Sequence, residues 1–371
     1  MATNFAVAPG EFLQEWIEEE GKGITQSDLA ERLGVSRKHV NQILRGKAPI
    51  SPELALRLEH VTGIPCRAWL AYEALYQEDR ARIQEENSLS DHLSCVSSEL
   101  ASFLRKQGAS KATLRDRRRV LIDFLDFTGF GSCGAFIEYS SKTMQCPAYA
   151  ALRESGADID EALVAAWIAA GEKTEACRKS SNLHFDRQKL LDLLPQIKQR
   201  AMVSDSTMVD DISAILETAG VIYQFVEPPK KFPLHGITRW LKNGVPIIQQ
   251  TGRRKKDAYV IWTLFHELGH LLYDEEAATH IDCDSKSATQ QSLEEKRANS
   301  FARKMLFGDD LSPYRGITRS HQIEAIAKQH GHVASVVVLE LHRRRWLDYG
   351  WCNDLITDLD IPFVSPAEHL T

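Results

Sequence analysis

The sequence predicts a mainly α-helical fold with a small β element. Helix-capping residues and glycine stops recur along the chain, and most segments between them carry apolar residues at helical spacing. The clearest strand signal is the pair Asn243-Gly244 between the apolar runs 237–241 and 245–249, a pattern typical of a β-hairpin. At 371 residues, the chain is long enough for two or three domains.

The composition is that of an ordinary soluble globular protein, with 43% hydrophobic and 26% charged residues. A net charge of −6 excludes nucleic-acid binding through bulk positive charge, although it leaves room for a local basic surface. The seven cysteines are widely spaced and form no CxxC pair, which indicates reduced thiols. The N-terminus lacks the features of a secretory signal, and no apolar run approaches the ~20 residues of a membrane span. We therefore expect a cytoplasmic protein with no membrane contact.

The first 78 residues predict five short helices, over residues 11–20, 26–33, 37–45, 52–62 and 66–76. Thr25 and Ser36 stand at N-cap positions, and Gly34 between the second and third helices supplies a left-handed turn residue. This spacing is typical of a helix–turn–helix.

The positive charge of this region is concentrated near the third helix, because residues 32–47 contain five Lys or Arg and no acidic residue. The N-terminal part of such a helix reads base edges in the major groove of double-stranded DNA, and its flanks contact phosphates. A helix–turn–helix used only for protein contact is the alternative. The basic runs 115–119 and 253–256 are interpreted as solvated faces or loops. We predict DNA contacts from Gln26, Ser36, Arg37, Lys38, Asn41 and Arg45.

Residues 8–77 resemble the XRE/Cro-type regulators, and within them the HigA antitoxin branch. The resemblance lies in APGEFLQEWIEE, TQSDLAERLGVSRKHVNQILRGKAPISPELALRLEHVTG and CRAWLAYEALYQ. It implies a five-helix DNA-binding domain that works as a homodimer on a palindromic operator. It also implies a second partner, because HigA-like antitoxins bind a cognate toxin as well as their own promoter.

A strongly apolar helix predicted over residues 258–273, with Asp257 as its cap, contains the sequence HELGH. His266 and His270 are four residues apart and so lie on one helix face, where both imidazoles can bind one Zn²⁺. Glu267 beside them is placed to act as the general base of a metallopeptidase. The alternative is a hydrogen-bonded pair of core histidines.

A third metal ligand is predicted on a later helix, over residues 293–307. Glu295 and Asn299 are again four residues apart, so Glu295 can bind the metal while Asn299 orients a ligand histidine. Glu294 competes with Glu295 for the role, and either could belong to a solvated helix face. His280, Asp282 and Asp284, between the two helices, are further possible ligands.

HELGH, a following helix of the form ExxANxFA, and the upstream strand pair resemble the ImmA/IrrE family of metallopeptidases over about residues 203–307. The resemblance implies a compact zinc peptidase fold in which His266, His270 and Glu295 bind zinc and Glu267 is catalytic. It also implies cleavage of a specific repressor or of the chain itself. The sequence departs from the family at RKMLFGD, residues 303–309, where members have an apolar stretch ending in Met-Pro. The candidates for stabilising the oxyanion of the reaction are Tyr259, Tyr273, His235 and His280.

Four segments follow from these patterns: a DNA-binding domain at 1–78, a helical spacer at 79–200, a zincin-like metallopeptidase domain with a short β-sheet at 201–312, and C-terminal helices with a loosely held acidic tail at 313–371. We expect a DNA-binding transcriptional regulator that carries a zinc-dependent metallopeptidase domain. One alternative is an antitoxin and autorepressor whose C-terminal domain binds zinc without catalysis. Another is a regulator in which zinc occupancy changes the affinity for DNA.

Overall fold

The computed structural model of the chain describes residues 6–21, 23–143, 160–230, 232–274, 280–283 and 293–366. The chain forms two compact units, Met1–Leu93 and Ser94–Thr371. No single helix in the described ranges has the length and apolar character needed to cross a bilayer. One bent pair, Leu114–Thr128 with Cys133–Lys142, meets that criterion by length and composition alone.

Over its described residues, the first unit forms five α-helices around a small apolar core that includes Leu29, Val40 and Trp69. The hydroxyl of Thr25 accepts the backbone N–H of Asp28, which caps the second helix as the sequence predicts. The helices are α1 (Pro9–Glu19), α2 (Gln26–Leu33), α3 (Arg37–Leu44), α4 (Pro52–Thr62) and α5 (Cys66–Asp91).

Helix α5 is fifteen residues longer than predicted, because the chain carries no glycine or proline between residues 77 and 91. The expected end of the DNA-binding domain, at residue 78, therefore falls inside a continuous helix.

The second unit surrounds one five-stranded sheet with helices. The strands are β1 (Ile222–Val226), β2 (Leu234–Trp240), β3 (Pro246–Gln250), β4 (His280–Cys283) and β5 (Phe363–Val364), in the order β4-β2-β3-β1-β5. The described helices are α6 (Ser98–Lys106), α7 (Arg117–Thr128), α8 (Cys133–Thr143), α9 (Glu161–Glu172), α10 (Glu175–Arg178), α11 (Arg187–Ala201), α12 (Met208–Thr218), α13 (Asp257–Tyr273), α14 (Leu293–Phe307), α15 (Ser320–His330) and α16 (Ala334–Arg343).

The predicted hairpin is confirmed, since β2 and β3 pair antiparallel on either side of Asn243 and Gly244. Gly244 has a φ of 79°, in the left-handed region that glycine adopts without steric cost. β4 also pairs antiparallel with β2, whereas β1 runs parallel to both β3 and β5. The predicted class, mainly α with a small β element, is confirmed.

The two faces of the sheet are covered by different helices, because neighbouring side chains on a strand point to opposite faces. On one face, the Thr238 hydroxyl of β2 bonds Glu267 of α13. On the other face, Arg239 of β2 bonds Glu172 of α9, with 2.6 Å between the guanidinium and carboxylate atoms. The Trp167 indole N–H donates to the Val226 carbonyl of β1 at 3.1 Å. Helix α9, within the segment predicted as a spacer, is thus part of the packing around the sheet.

Two local expectations are wrong. Asp257 is the first residue of α13, and Lys256 holds the N-cap position. The buried Asp257 carboxylate accepts the Ala258 N–H of the helix at 2.7 Å, and it also accepts the Ser204 hydroxyl and the Thr357 N–H, at 2.7 and 3.0 Å. The C-terminal tail is not loosely held over its described residues, 353–366, because its acidic residues are interspersed with apolar ones that enter the core: Leu359 and Ile361 are buried. The strand that follows them, β5, pairs with β1.

We predict that Arg239→Ala lowers the free energy of unfolding by about 2–4 kcal/mol, measured by denaturant titration. The substitution leaves the buried Gln249 side-chain oxygen and the Ile168 carbonyl without the guanidinium that now donates to them. The matched control is Lys242→Ala, an exposed residue of the same hairpin, which we expect to stay within about 0.5 kcal/mol of the wild type. Equal stabilities of the two variants would contradict the prediction.

Candidate metal centre and candidate DNA-binding helix

Helix α13 is buried along almost its whole length, which makes its polar side chains expensive unless they are paired. His266, Glu267 and His270 are 3%, 0% and 2% exposed. Apolar residues account for most of the remaining positions of the helix. The sequence therefore places three ionisable groups where only mutual pairing, or a bound cation, offsets their desolvation.

Helix α14 supplies the additional carboxylate, because it approaches α13 very closely. A Cβ added at Gly269 would lie 2.9 Å from the Cα of Ala298, so the two backbones meet at a point that only glycine permits. Glu295 lies one turn before Ala298, and this approach brings its carboxylate to the two histidines. The ligand atoms of His266, His270 and Glu295 all lie within 4.8 Å of one another.

The spacing of the three groups fits a tetrahedral zinc ion. Zinc–nitrogen and zinc–oxygen bonds of ~2.0–2.1 Å place neighbouring ligand atoms of a tetrahedron about 3.3 Å apart. The two histidine Nε2 atoms are 3.1 Å apart, a distance that also fits the alternative of a hydrogen-bonded histidine pair. Glu295 Oε2 lies 3.5 Å from His266 Nε2, and Glu295 Oε1 lies 3.3 Å from His270 Nε2, so one carboxylate oxygen faces each imidazole. Two imidazoles and one carboxylate are a donor set typical of catalytic zinc, which leaves the fourth position open.

Each histidine is oriented by a partner at its other ring nitrogen. Asn299 Oδ1 lies 3.2 Å from His266 Nδ1, which is the contact that the predicted orienting role would use. Asp274 Oδ2 lies 2.6 Å from His270 Nδ1. A hydrogen on Nδ1 leaves the Nε2 lone pair directed at the centre of the group. Sequence reasoning missed Asp274, although its position four residues after His270 on the same helix was a usable signal.

The electrostatic surroundings favour positive charge at the centre. Burial lowers the pKa of His270, but the hydrogen bond with Glu295 and the charges of Glu267 and Glu295 outweigh it and raise the pKa to about 9. The carboxylates around the imidazole therefore stabilise a cation at this point of the buried site.

The Glu267 side chain of α13 contacts strand β2. The Thr238 hydroxyl donates to its Oε2 at 2.5 Å, and a Cβ added at Gly236 would lie 3.1 Å from its Oε1. Sequence reasoning missed Thr238, since nothing in the local pattern of a hairpin strand indicates which helix residue its side chain will meet.

The other candidate metal ligands lie on α14, on β4 and outside the described residues. Glu294 is exposed and outside the group of three, whereas its neighbour Glu295 is inside it. His280 and Asp282 lie in β4, and Asp284 lies outside the described residues.

The four candidates for stabilising the oxyanion lie on three elements, β2, α13 and β4. His235 and Tyr259 line one cleft together with Thr263, which lies one helical turn before Glu267. The Tyr273 side chain is 43% exposed and its ring packs against Phe301. His280 belongs to the edge strand β4.

In the first unit, α3 presents its N-terminal residues to solvent. Ser36, Arg37, Lys38 and Arg45 are exposed. The Ser36 hydroxyl also caps the helix by accepting the His39 N–H at 3.1 Å. The amide groups of the half-buried Asn41 and Gln26 approach to 3.5 Å, which links the face of α3 to the start of α2. All six predicted contact residues thus lie on α2, α3 or the residues that flank α3.

Comparison with known proteins identifies the first unit. Residues 17–69 match the helix-turn-helix family model, so the chain carries an XRE-type helix-turn-helix DNA-binding domain. The solved structure of antitoxin GraA is similar at 32% identity over 22% of this chain and 85% of that chain, with a TM-score of 0.21. An addiction module antidote protein of a HigA family from Coxiella burnetii is similar at 27% identity over 23% of this chain and 92% of that chain, with a TM-score of 0.21. No curated protein matches the chain.

We predict that the full chain, purified with zinc and dialysed, retains about one zinc ion per chain. His266→Ala and Glu295→Gln should lose most of this zinc, because each removes a ligand atom from the group of three. Glu294→Gln, at the exposed neighbouring position, is the matched control and should retain it. Zinc content is measured by mass spectrometry of the metal. Retention of stoichiometric zinc by His266→Ala would show that the ion binds elsewhere.

Proposed function

We propose that the chain is a transcriptional regulator that binds double-stranded DNA through its first unit and cleaves a specific protein through a zinc-dependent metallopeptidase site in its second. The observation that carries the peptidase proposal is the convergence of His266, His270 and Glu295, whose ligand atoms lie within 4.8 Å of one another beside the buried Glu267. A cluster built only for structure would not need a general base next to its ligands.

His266, His270 and Glu295 would hold the zinc ion, with Asn299 and Asp274 orienting the two imidazoles. Bound zinc supplies Lewis-acid activation of water and of the substrate carbonyl. Glu267 accepts the proton as water attacks the peptide carbonyl, and then delivers it to the departing amine. Thr238 positions the Glu267 carboxylate by donating to one of its oxygens.

The substrate class follows from the sequence resemblance to the ImmA/IrrE metallopeptidases. That resemblance supports limited cleavage of a repressor protein, or of the chain itself, over general digestion. A site attached to a DNA-binding domain is well placed for such a substrate, since a repressor and this chain would meet at the same promoter.

The test compares the wild-type chain with Glu267→Gln, each loaded with zinc, acting on themselves and on a repressor encoded by a neighbouring gene. We expect discrete fragments with the wild type and cleavage at least about 100-fold slower with Glu267→Gln, because the general base is lost. Equal zinc contents of the two proteins exclude loss of metal as the cause.

Glu294→Gln is the control that keeps wild-type activity. Fragments formed equally by wild type and Glu267→Gln, or by neither, would overturn the peptidase proposal and leave the DNA-binding domain unaffected.

The second candidate is an antitoxin and autorepressor, favoured by the HigA-like motifs of residues 8–77. In this case zinc has a structural or sensing role. Glu267→Gln would then retain both repression and neutralisation of a toxin encoded by the adjacent gene, tested by co-expression. A peptidase-dependent regulator instead loses its response when Glu267 is substituted.

A further inference from the structure

The second unit contains a concentration of positive charge that belongs neither to helix α3 nor to the candidate metal centre. Residues 105–119, which we call the basic corner, contain seven Lys or Arg and one acidic residue, a net charge of +6 in a chain whose net charge is −6. The corner comprises the end of α6, the turn after it and the start of α7. Its basic residues are Arg105, Lys106, Lys111, Arg115, Arg117, Arg118 and Arg119.

The corner has a defined shape, because one buried hydrogen bond and several more exposed ones fix the turn. The Ser110 hydroxyl donates to the buried Asp123 carboxylate of α7 at 2.5 Å and accepts the Ala112 N–H at 3.0 Å. The Arg105 guanidinium donates to the Ala112 carbonyl at 3.3 Å, which ties the end of α6 to the turn. Asp116 caps α7 by accepting the Arg119 N–H at 3.0 Å. The charges therefore project from a fixed backbone, so that binding orders the side chains without also having to order the turn.

Some of the charges are balanced within the unit and others face solvent. Lys106 pairs with Glu227, and Arg119 pairs with Asp123 at 2.9 Å. Lys111, Arg115 and Arg117 are exposed, and no described carboxylate forms an ion pair with them. These three side chains carry the unbalanced charge at the centre of the corner.

We propose that the basic corner binds backbone phosphates of double-stranded DNA, as a contact independent of sequence and additional to α3. Charge complementarity supports this partner, since DNA carries one phosphate per ~1.7 Å of its axis. Five of the seven basic residues are arginines, whose planar fork matches two phosphate oxygens.

The surface favours DNA over an acidic protein, because it lacks the apolar core of a protein interface. Among the fifteen described residues of the corner, one large apolar side chain, Leu114, is exposed. The helix-turn-helix domain also brings DNA to the chain. This inference does not depend on the metallopeptidase proposal.

The test measures the affinity of the full chain for a 60-bp random-sequence duplex as a function of salt concentration. The variant Lys111→Gln/Arg115→Gln/Arg117→Gln should reduce the slope of log K against log salt by about 2–3, since each lost phosphate contact removes ~0.9. The matched control is Lys189→Gln/Lys242→Gln/Lys328→Gln, three exposed lysines elsewhere in the unit, which keeps the wild-type slope while making the same change in net charge. Equal melting temperatures of the variants exclude unfolding.

A second pair of measurements separates the DNA binding of the basic corner from that of helix α3. With Arg37→Ala/Lys38→Ala as background, the chain should retain weaker, salt-dependent binding of the duplex, and the triple substitution in the corner should abolish it. The proposal is overturned if the corner variant has the slope of the control, or if the background variant no longer binds the duplex. Displacement of DNA by polyglutamate at a lower charge concentration than by unlabelled duplex would assign the corner to an acidic protein, and would also overturn it.

Discussion

The close packing of α13 against α14 is the constraint on which the candidate metal centre depends. His266, Glu267 and His270 lie on a helix whose other positions are mostly apolar and buried, and burial of those charges is tolerated only where partners meet them. Gly269 allows the backbone of α14 to approach, and Glu295 and Asn299 reach His266 from that helix. A side chain at residue 269 would separate the helices and remove two of the groups that balance the site.

The sheet keeps this packing in place because it is anchored on both faces. Thr238 and Arg239, adjacent on β2, bond respectively to Glu267 on α13 and to Glu172 on α9. The chain N-terminal to the metal centre and the C-terminal tail are both part of this arrangement, the tail through the N–H of Thr357, which bonds the carboxylate of Asp257 at the start of α13. The candidate metal centre is therefore supported by segments distant in sequence, from α9 to the C-terminal tail.

The sequence predicts the features that depend on neighbouring residues, such as caps, turns and the spacing of side chains on a helix. It does not predict the contacts between residues that are distant in the chain. The Thr25 cap, the Asn243-Gly244 turn and the histidine spacing each depend on neighbours within four residues, so one sequence is enough to read them. Thr238 meets Glu267 across 29 residues, a separation at which no sequence spacing predicts contact. The prediction of a loosely held tail is wrong because acidic residues dominate the composition of this segment, while Leu359 and Ile361 determine where it packs.

Zinc K-edge X-ray absorption of the full chain, purified with the metal, tests the account of the candidate metal centre most directly. The arrangement of His266, His270 and Glu295 predicts four nitrogen or oxygen neighbours at ~2.0–2.1 Å, with the outer-shell scattering of two imidazoles. His266→Ala should lose both the zinc and this signal. A six-coordinate oxygen shell, a shell containing sulfur, or a protein that binds no zinc would contradict the account.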